Sequence, residues 1–73
     1  MINKEIPKRL GAKIRYIRQL QKLSQIELAG KSGLNFNYIG QIERAETNPS
    51  LQTLTSIAEG FGVEIKELFD FSF

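Results

Sequence analysis

With no cysteine and no histidine among its 73 residues, the chain can form no disulfide and no thiolate or imidazole metal site. Cys and His catalysis are ruled out as well. Whatever it folds into must be held by packing alone. A chain this short buries only a modest core, which leads us to expect one compact domain over residues 1–73 and no second, catalytic one. Its 41% hydrophobic and 25% charged residues match ordinary globular usage and not the highly charged, apolar-poor composition of disordered chains. Met1 to Arg9 is too polar and charged for a signal peptide. No apolar run approaches the roughly 18–20 residues that cross a bilayer. The expectation is a cytoplasmic protein without a membrane partner.

The net charge of +2 says less than its distribution. Residues 1–44 hold nine Lys or Arg against Glu5, Glu27 and Glu43, an excess of +6; residues 45–73 hold Lys66 against Glu46, Glu59, Glu64, Glu67 and Asp70, an excess of −4. A basic end of this kind is what phosphate attraction requires, although a solvated surface charged unevenly by chance has the same arithmetic.

Five short helices follow from period and punctuation. Leu10, Ile14 and Ile17 are spaced by four and three, and Pro7 stands where a first helical turn tolerates it, predicting a helix from about Pro7 to Gln21. Its other faces are basic. Membrane-surface binding is the alternative for such a helix, but the apolar stripe is narrow and lacks Trp. Ser24 with Glu27 three residues on forms a capping box, and Gly33 supplies the left-handed residue that ends a short helix, about Gln25 to Ser32. Asn35 can cap a third helix, about Phe36 to Arg44, carrying Ile39 and Ile42 inward. Glu46 to Ser50 reads as a loop around Pro49. Leu51, Leu54, Ile57 and Ala58 predict a fourth helix to about Gly60, and Val63, Ile65, Leu68 and Phe69 a short fifth. No segment alternates long enough for a strand. The fold class is all-α, a compact five-helix domain.

Two short helices joined through Gly33 by a tight turn make the helix-turn-helix geometry. The runs Leu10-Gly11, Ile14-Arg15, Ile17-Arg18, Leu23-Ser24-Gln25, Glu27-Leu28-Ala29, Ser32-Gly33-Leu34, Tyr38-Ile39, Ile42-Glu43-Arg44, Asn48-Pro49-Ser50-Leu51, Ile57-Ala58 and Glu67-Leu68-Phe69 together resemble the Xre family. These are the phage-repressor and Cro-like helix-turn-helix regulators, which include small restriction-modification controller proteins. The resemblance covers about residues 8–69 without a gap and implies a lambda-repressor-like DNA-binding domain. Three positions depart from the family pattern. Lys22 and Ala45 stand where glycine commonly closes a helix, so that Lys22 must take a positive φ, at about 1 kcal/mol. Gly40 lies inside the third helix, where it costs about 1 kcal/mol relative to Ala unless close approach to a partner such as a DNA backbone offsets it.

The resemblance also implies that the start of the third helix reaches base edges, which here means Asn35, Phe36 and Asn37, with Gln41 one turn later. Asn and Gln can pair bidentately with adenine and Phe can touch a thymine methyl, so an A·T-containing half-site fits. Other readings stay open: Asn35 as an N-cap, which is compatible with a base contact; Asn37 as a solvated helix residue; Phe36 as a packed staple against Leu34. Gln25 stands at a helix N-terminus, where amides and dipole favour an anion, and the family uses this glutamine on phosphate. Tyr38, Arg44, Thr47, Asn48, Arg15 and Lys13 complete the phosphate set, each with a solvated side chain as its other reading. Arg18 and Glu43 match a family pair that joins the first helix to the end of the third, which implies a structural salt bridge.

One such domain covers few base pairs, so specificity implies a two-fold homodimer on a pseudo-palindrome with half-sites about 34–36 Å apart. Val63, Ile65, Phe69, Phe71 and Phe73 exceed what a terminal turn normally buries and form the expected self-association surface. Closure of the monomer's own core is the other reading of these rings, and for Phe69 the preferred one. The function expected is transcriptional regulation on double-stranded DNA, as a repressor or controller. The alternative is an antitoxin-type protein-binding module that autoregulates its own operon. No cofactor, metal or small-molecule ligand is expected, since so small a core leaves no cavity on the order of several hundred Å³. Carboxylates at ordinary surface spacing with no His or Cys beside them give no basis for an enzyme.

Overall fold

The computed structural model describes residues 5–72. Five helices follow in order: α1 (Glu5–Leu20), α2 (Gln25–Ser32), α3 (Phe36–Glu43), α4 (Leu51–Phe61) and α5 (Ile65–Leu68). No strand occurs among the described residues.

Each start has a local cause. α1 begins two residues before Pro7, with Glu5 in its first turn and paired to Arg9 one turn on at 2.7 Å. That pair, placed where the dipole favours a carboxylate, supports the first described turn ahead of Pro7. At α2 the capping box is complete: the Glu27 amide donates to Ser24 Oγ at 3.0 Å and the Ser24 amide to Glu27 Oε1 at 2.8 Å. Asn35 caps α3 by accepting from the Asn37 amide at 2.8 Å, and Ser50 caps α4 by accepting from the Thr53 amide at 3.0 Å.

The first four helices end in one way. A residue with positive φ turns the chain, and the amide after it donates back five residues: Leu23 to Arg18, Leu34 to Ala29, Glu46 to Gln41 and Val63 to Ala58, at 2.8 to 3.0 Å. Gly33 and Gly62 take this conformation freely at φ 68° and 74°, while Lys22 and Ala45 take it against a Cβ at 58° and 59°. These closures place the ends of α1 at Leu20, not Gln21, and of α3 at Glu43, leaving Arg44 as its cap. α4 runs one residue beyond Gly60, to Phe61.

The apolar stripes meet in one core. Leu10, Ile14 and Ile17 from α1, Leu28 and Ala29 from α2, Ile39 and Ile42 from α3, Leu54, Ile57, Ala58 and Phe61 from α4, and Leu68 from α5 are all buried. A fully enclosed side chain such as Ile39 contributes about 1.5–3 kcal/mol. α2 lies across α4 and α3, and α1 packs on α3 and α5. The α1–α3 approach is possible only at Gly11, where a Cβ would stand 2.5 Å from the Ile42 carbonyl oxygen and 2.7 Å from that of Glu43.

The tail departs from expectation. Leu68 fills the core, and Phe69, one residue or about 100° further round, is 42% exposed instead of closing it. Phe71 returns to the core surface, its ring edge-on to Phe69 with centroids 6.3 Å apart. Phe73 lies outside the described residues.

Candidate nucleic-acid interface

The third helix divides cleanly. Ile39 and Ile42 point into the core, and Glu43 is buried beneath the helix end. Asn35, Phe36, Asn37, Gln41 and Arg44 are exposed, Phe36 at 48%. Asn37, Gln41 and Arg44 recur at four and three, so they form one outer stripe, with Phe36 at its leading edge. An exposed phenylalanine in the first turn is not packed as a staple. Asn35 is engaged as the cap, which uses one acceptor of its side-chain oxygen and leaves the amide NH₂ free of that duty.

Glu43 fixes how this helix sits. Its side chain is fully buried. Arg18 grips it side-on, Nε donating to Oε2 at 2.7 Å and Nη2 to Oε1 at 3.1 Å. Gln25 Nε2 donates to Oε1 at 3.1 Å, and Arg15 Nε lies 3.5 Å from the same oxygen. Arg18 also donates from Nη1 to the Leu23 carbonyl at 2.8 Å. One carboxylate therefore ties α1, the start of α2 and the end of α3 into a single unit. Burial opposes its charge, but the hydrogen bonds from Arg18 and Gln25 and the charges of Arg18 and Arg15 together hold the Glu43 carboxyl below its ordinary value of 4.5.

Gln25 is the first residue of α2. With its side-chain NH₂ committed to Glu43 and its Oε1 lying toward Gly40 of α3, what it can offer an anion is its backbone N–H. That N–H and the one of Ile26 belong to the first turn, where helix geometry provides no intrahelical acceptor. Arg15 is half exposed beside it. Tyr38 is partly buried against the core, Thr47 is half-buried, and Asn48 is exposed in the loop after α3. The structure thus brings Arg15, Gln25, Asn35, Phe36, Asn37, Gln41 and Arg44 to one side.

Lys13 does not join them. Gly11, Arg15 and Arg18 face α3, and two residues away from Arg15 the helix has turned about 200°. Lys13 is buried there, its ammonium 5.6 Å from the Tyr16 ring centroid and its charge acting on Asp70. The structure thus sets Lys13 apart from the other expected phosphate ligands, on the side of α1 toward Asp70.

Val63 and Ile65 are half-buried against the core, Phe71 likewise, and Phe69 stands outward. Beside this end runs an apolar stripe missed in the sequence. Ile6, Tyr16 and Leu20 of α1 are exposed at 50%, 40% and 64%, and Ile6, Lys13 and Leu20 recur every seven residues, which is the signal that marks them as one face. Two ion pairs at this interface were also missed: Arg15 with Glu43, and Arg44 with Glu46 at 2.8 Å. The second has no helical signature, because residues two apart on a helix do not face each other. Only the positive φ of Ala45 brings Glu46 alongside.

Comparison with known proteins agrees with this fold. Among solved structures, the restriction-modification controller protein C.AhdI from Aeromonas hydrophila superimposes with a TM-score of 0.85 at 36% identity, covering 86% of this chain and 96% of its own. The control protein C.SmaI of Serratia marcescens is 38% identical over 64 residues, 88% of this chain and 76% of the relative. The immunity repressor protein of Bacillus phage phi105 is 39% identical over 59 residues, 81% of this chain, which spans only 41% of that repressor's length. The helix-turn-helix family model matches residues 14–68. The chain belongs to the helix-turn-helix family and is Xre-like in type.

Proposed function

We propose that this protein is a sequence-specific, double-stranded-DNA-binding transcriptional regulator that lays α3 in the major groove. The observation that carries the reading is the division of labour on α3: Ile39, Ile42 and Glu43 anchor the helix to the scaffold, while Asn35, Phe36, Asn37 and Gln41 have no part in the core and face outward. Asn37 and Gln41 read base edges and Phe36 meets a thymine methyl. The Gln25 amide, Arg15, Arg44, Thr47 and Asn48 hold flanking phosphates, positioning the helix without reading sequence.

The regulator acts as a homodimer. The described part of one copy measures 34 × 25 × 19 Å and carries one α3 of eight residues. Two copies side by side span the roughly 34–36 Å between half-sites of a pseudo-palindrome. The pairing face is built from Phe69, Ile65, Val63 and Phe71 together with Tyr16, Leu20 and Ile6 of α1, on the flank of α1 away from Arg15. Controller and repressor are the roles that relatives' names carry.

Selection of bound duplexes from a random pool tests the reading. A two-fold symmetric consensus is expected. Asn37→Ala should then relax preference at one position per half-site, whereas Arg15→Ala should weaken all sequences equally and reduce the salt slope by about 0.9. A folded protein that enriches no sequence at low salt refutes the proposal.

A further inference from the structure

The loop leaving α3 sets an acidic side chain against the DNA-facing cations. Arg44 donates from Nε to Glu46 Oε2 at 2.8 Å and from Nη2 to Glu46 Oε1 at 3.2 Å. Two parallel donors on two oxygens is the fork geometry with which arginine takes a phosphate. The third nitrogen, Nη1, lies 3.0 Å from where a Cβ on Gly40 would stand, and Gln25 Oε1 is 3.5 Å from the same point. The guanidinium therefore folds back over the bare Gly40 backbone, beside the proposed phosphate ligand Gln25. No backbone or core atom crowds the position a Gly40 Cβ would take, so the cation lies directly over the helix backbone there. Both partners of the pair are 52% exposed, which leaves the bond open to exchange with an anion from solution.

We infer that Glu46 stands in for a DNA phosphate on Arg44, parking the guanidinium over Gly40 in the free protein and lowering its affinity for DNA. The inference rests on the function proposed above. On docking, a backbone phosphate takes the fork and the Glu46 carboxylate is released among phosphates, where it must gather a cation. The exchange thus returns part of the counterion release that Arg44 would otherwise supply. The mutual bond keeps the Glu46 carboxyl below its ordinary value and Arg44 above its own, so both are charged at neutral pH and the competition operates there.

The test measures binding of the 73-residue chain to a fluorescein-labelled duplex taken from the selected pool, by anisotropy over a range of salt concentrations. Glu46→Gln should tighten binding by about two- to fivefold at low salt and steepen the salt slope by up to about 0.9. In an Arg44→Gln background the same substitution should give little gain. Unfolding in urea run alongside should place all three variants near the parent, because both side chains are exposed. Unchanged or weaker binding by Glu46→Gln, as a carboxylate that presents Arg44 to DNA would produce, overturns the inference and leaves the DNA reading standing. A gain that persists in full without Arg44 reduces Glu46 to a general repulsive charge and also overturns it. If no variant, nor the parent, binds any duplex, the proposed function falls first and this inference with it.

Discussion

Arg18→Met removes the cation that holds Glu43 while keeping an unbranched apolar stem. The Glu43 side chain is fully buried and that of Arg18 only 14% exposed, so the pair belongs with shielded ion pairs. Deleting one partner of a buried pair typically costs about 3–5 kcal/mol, because the other charge is stranded. Two features of this site soften the loss: Gln25 still donates to Glu43 at 3.1 Å, and Arg15 is 3.5 Å away and can close in. One adds to it, since the Leu23 carbonyl loses its donor, worth about 1 kcal/mol. The net expectation is a destabilisation of about 2–4 kcal/mol. Against a total of about 4–11 kcal/mol for a domain of this size, that lowers the midpoint of thermal unfolding by about 10–30 °C. Urea unfolding followed by circular dichroism measures it, with Glu43→Gln and the double variant completing a cycle. The double variant should lose less than the two single losses combined, with a coupling of about 1–3 kcal/mol. A change of under about 0.5 kcal/mol for Arg18→Met is what an exposed surface pair gives, and that result refutes the claim that Glu43 is the tie between α1, α2 and α3.

Three further outcomes follow. Because the Glu43 carboxyl is held below its ordinary value of 4.5 in the folded protein, it binds its proton more readily when unfolded. Its contribution is complete above pH 4.5 and disappears as the pH falls through the lower folded value; acid unfolding of Glu43→Gln should be correspondingly flatter in that window. Gly11→Ala gains about 1 kcal/mol in helix propensity but drives a methyl to 2.5 Å and 2.7 Å from two backbone oxygens, and α3 must shift; a net loss of about 1–3 kcal/mol in urea unfolding is expected. Lys22→Gly and Ala45→Gly relieve left-handed backbone at φ 58° and 59° and should each raise stability by up to about 1 kcal/mol, with an unchanged or lowered melting temperature counting against strain at that position.

Much of the fold could be read from local signals because most of its decisions are local. Ser24 with Glu27, Asn35 and Ser50 name their own helix starts, and Gly33 its helix end, through bonds spanning two to five residues. The shifted ends of α1 and α3 share a cause: at Lys22 and Ala45, where glycine is missing, the same left-handed closure forms anyway, and the amide after it still donates back to the helix. The tail was misread because Phe69 and Phe71 are indistinguishable by composition. Leu68 occupies the core position, and that decides which ring remains outside.

The same logic separates the parts of the site. The outer stripe of α3 is a matter of period, and period is written in the chain. Lys13 lies two residues from Arg15, and that spacing by itself sets it on the opposite side of α1. The pairing of Arg44 with Glu46 could not be reached in this way: it needs a helix exit in which a non-glycine residue turns left-handed, so that a side chain two positions on comes back to meet the helix end. Charge counted along the sequence places Glu46 in the acidic half, remote in effect from the basic interface. Charge placed in space sets it 2.8 Å from Arg44, the residue that caps α3, where the proposed competition between carboxylate and phosphate is decided.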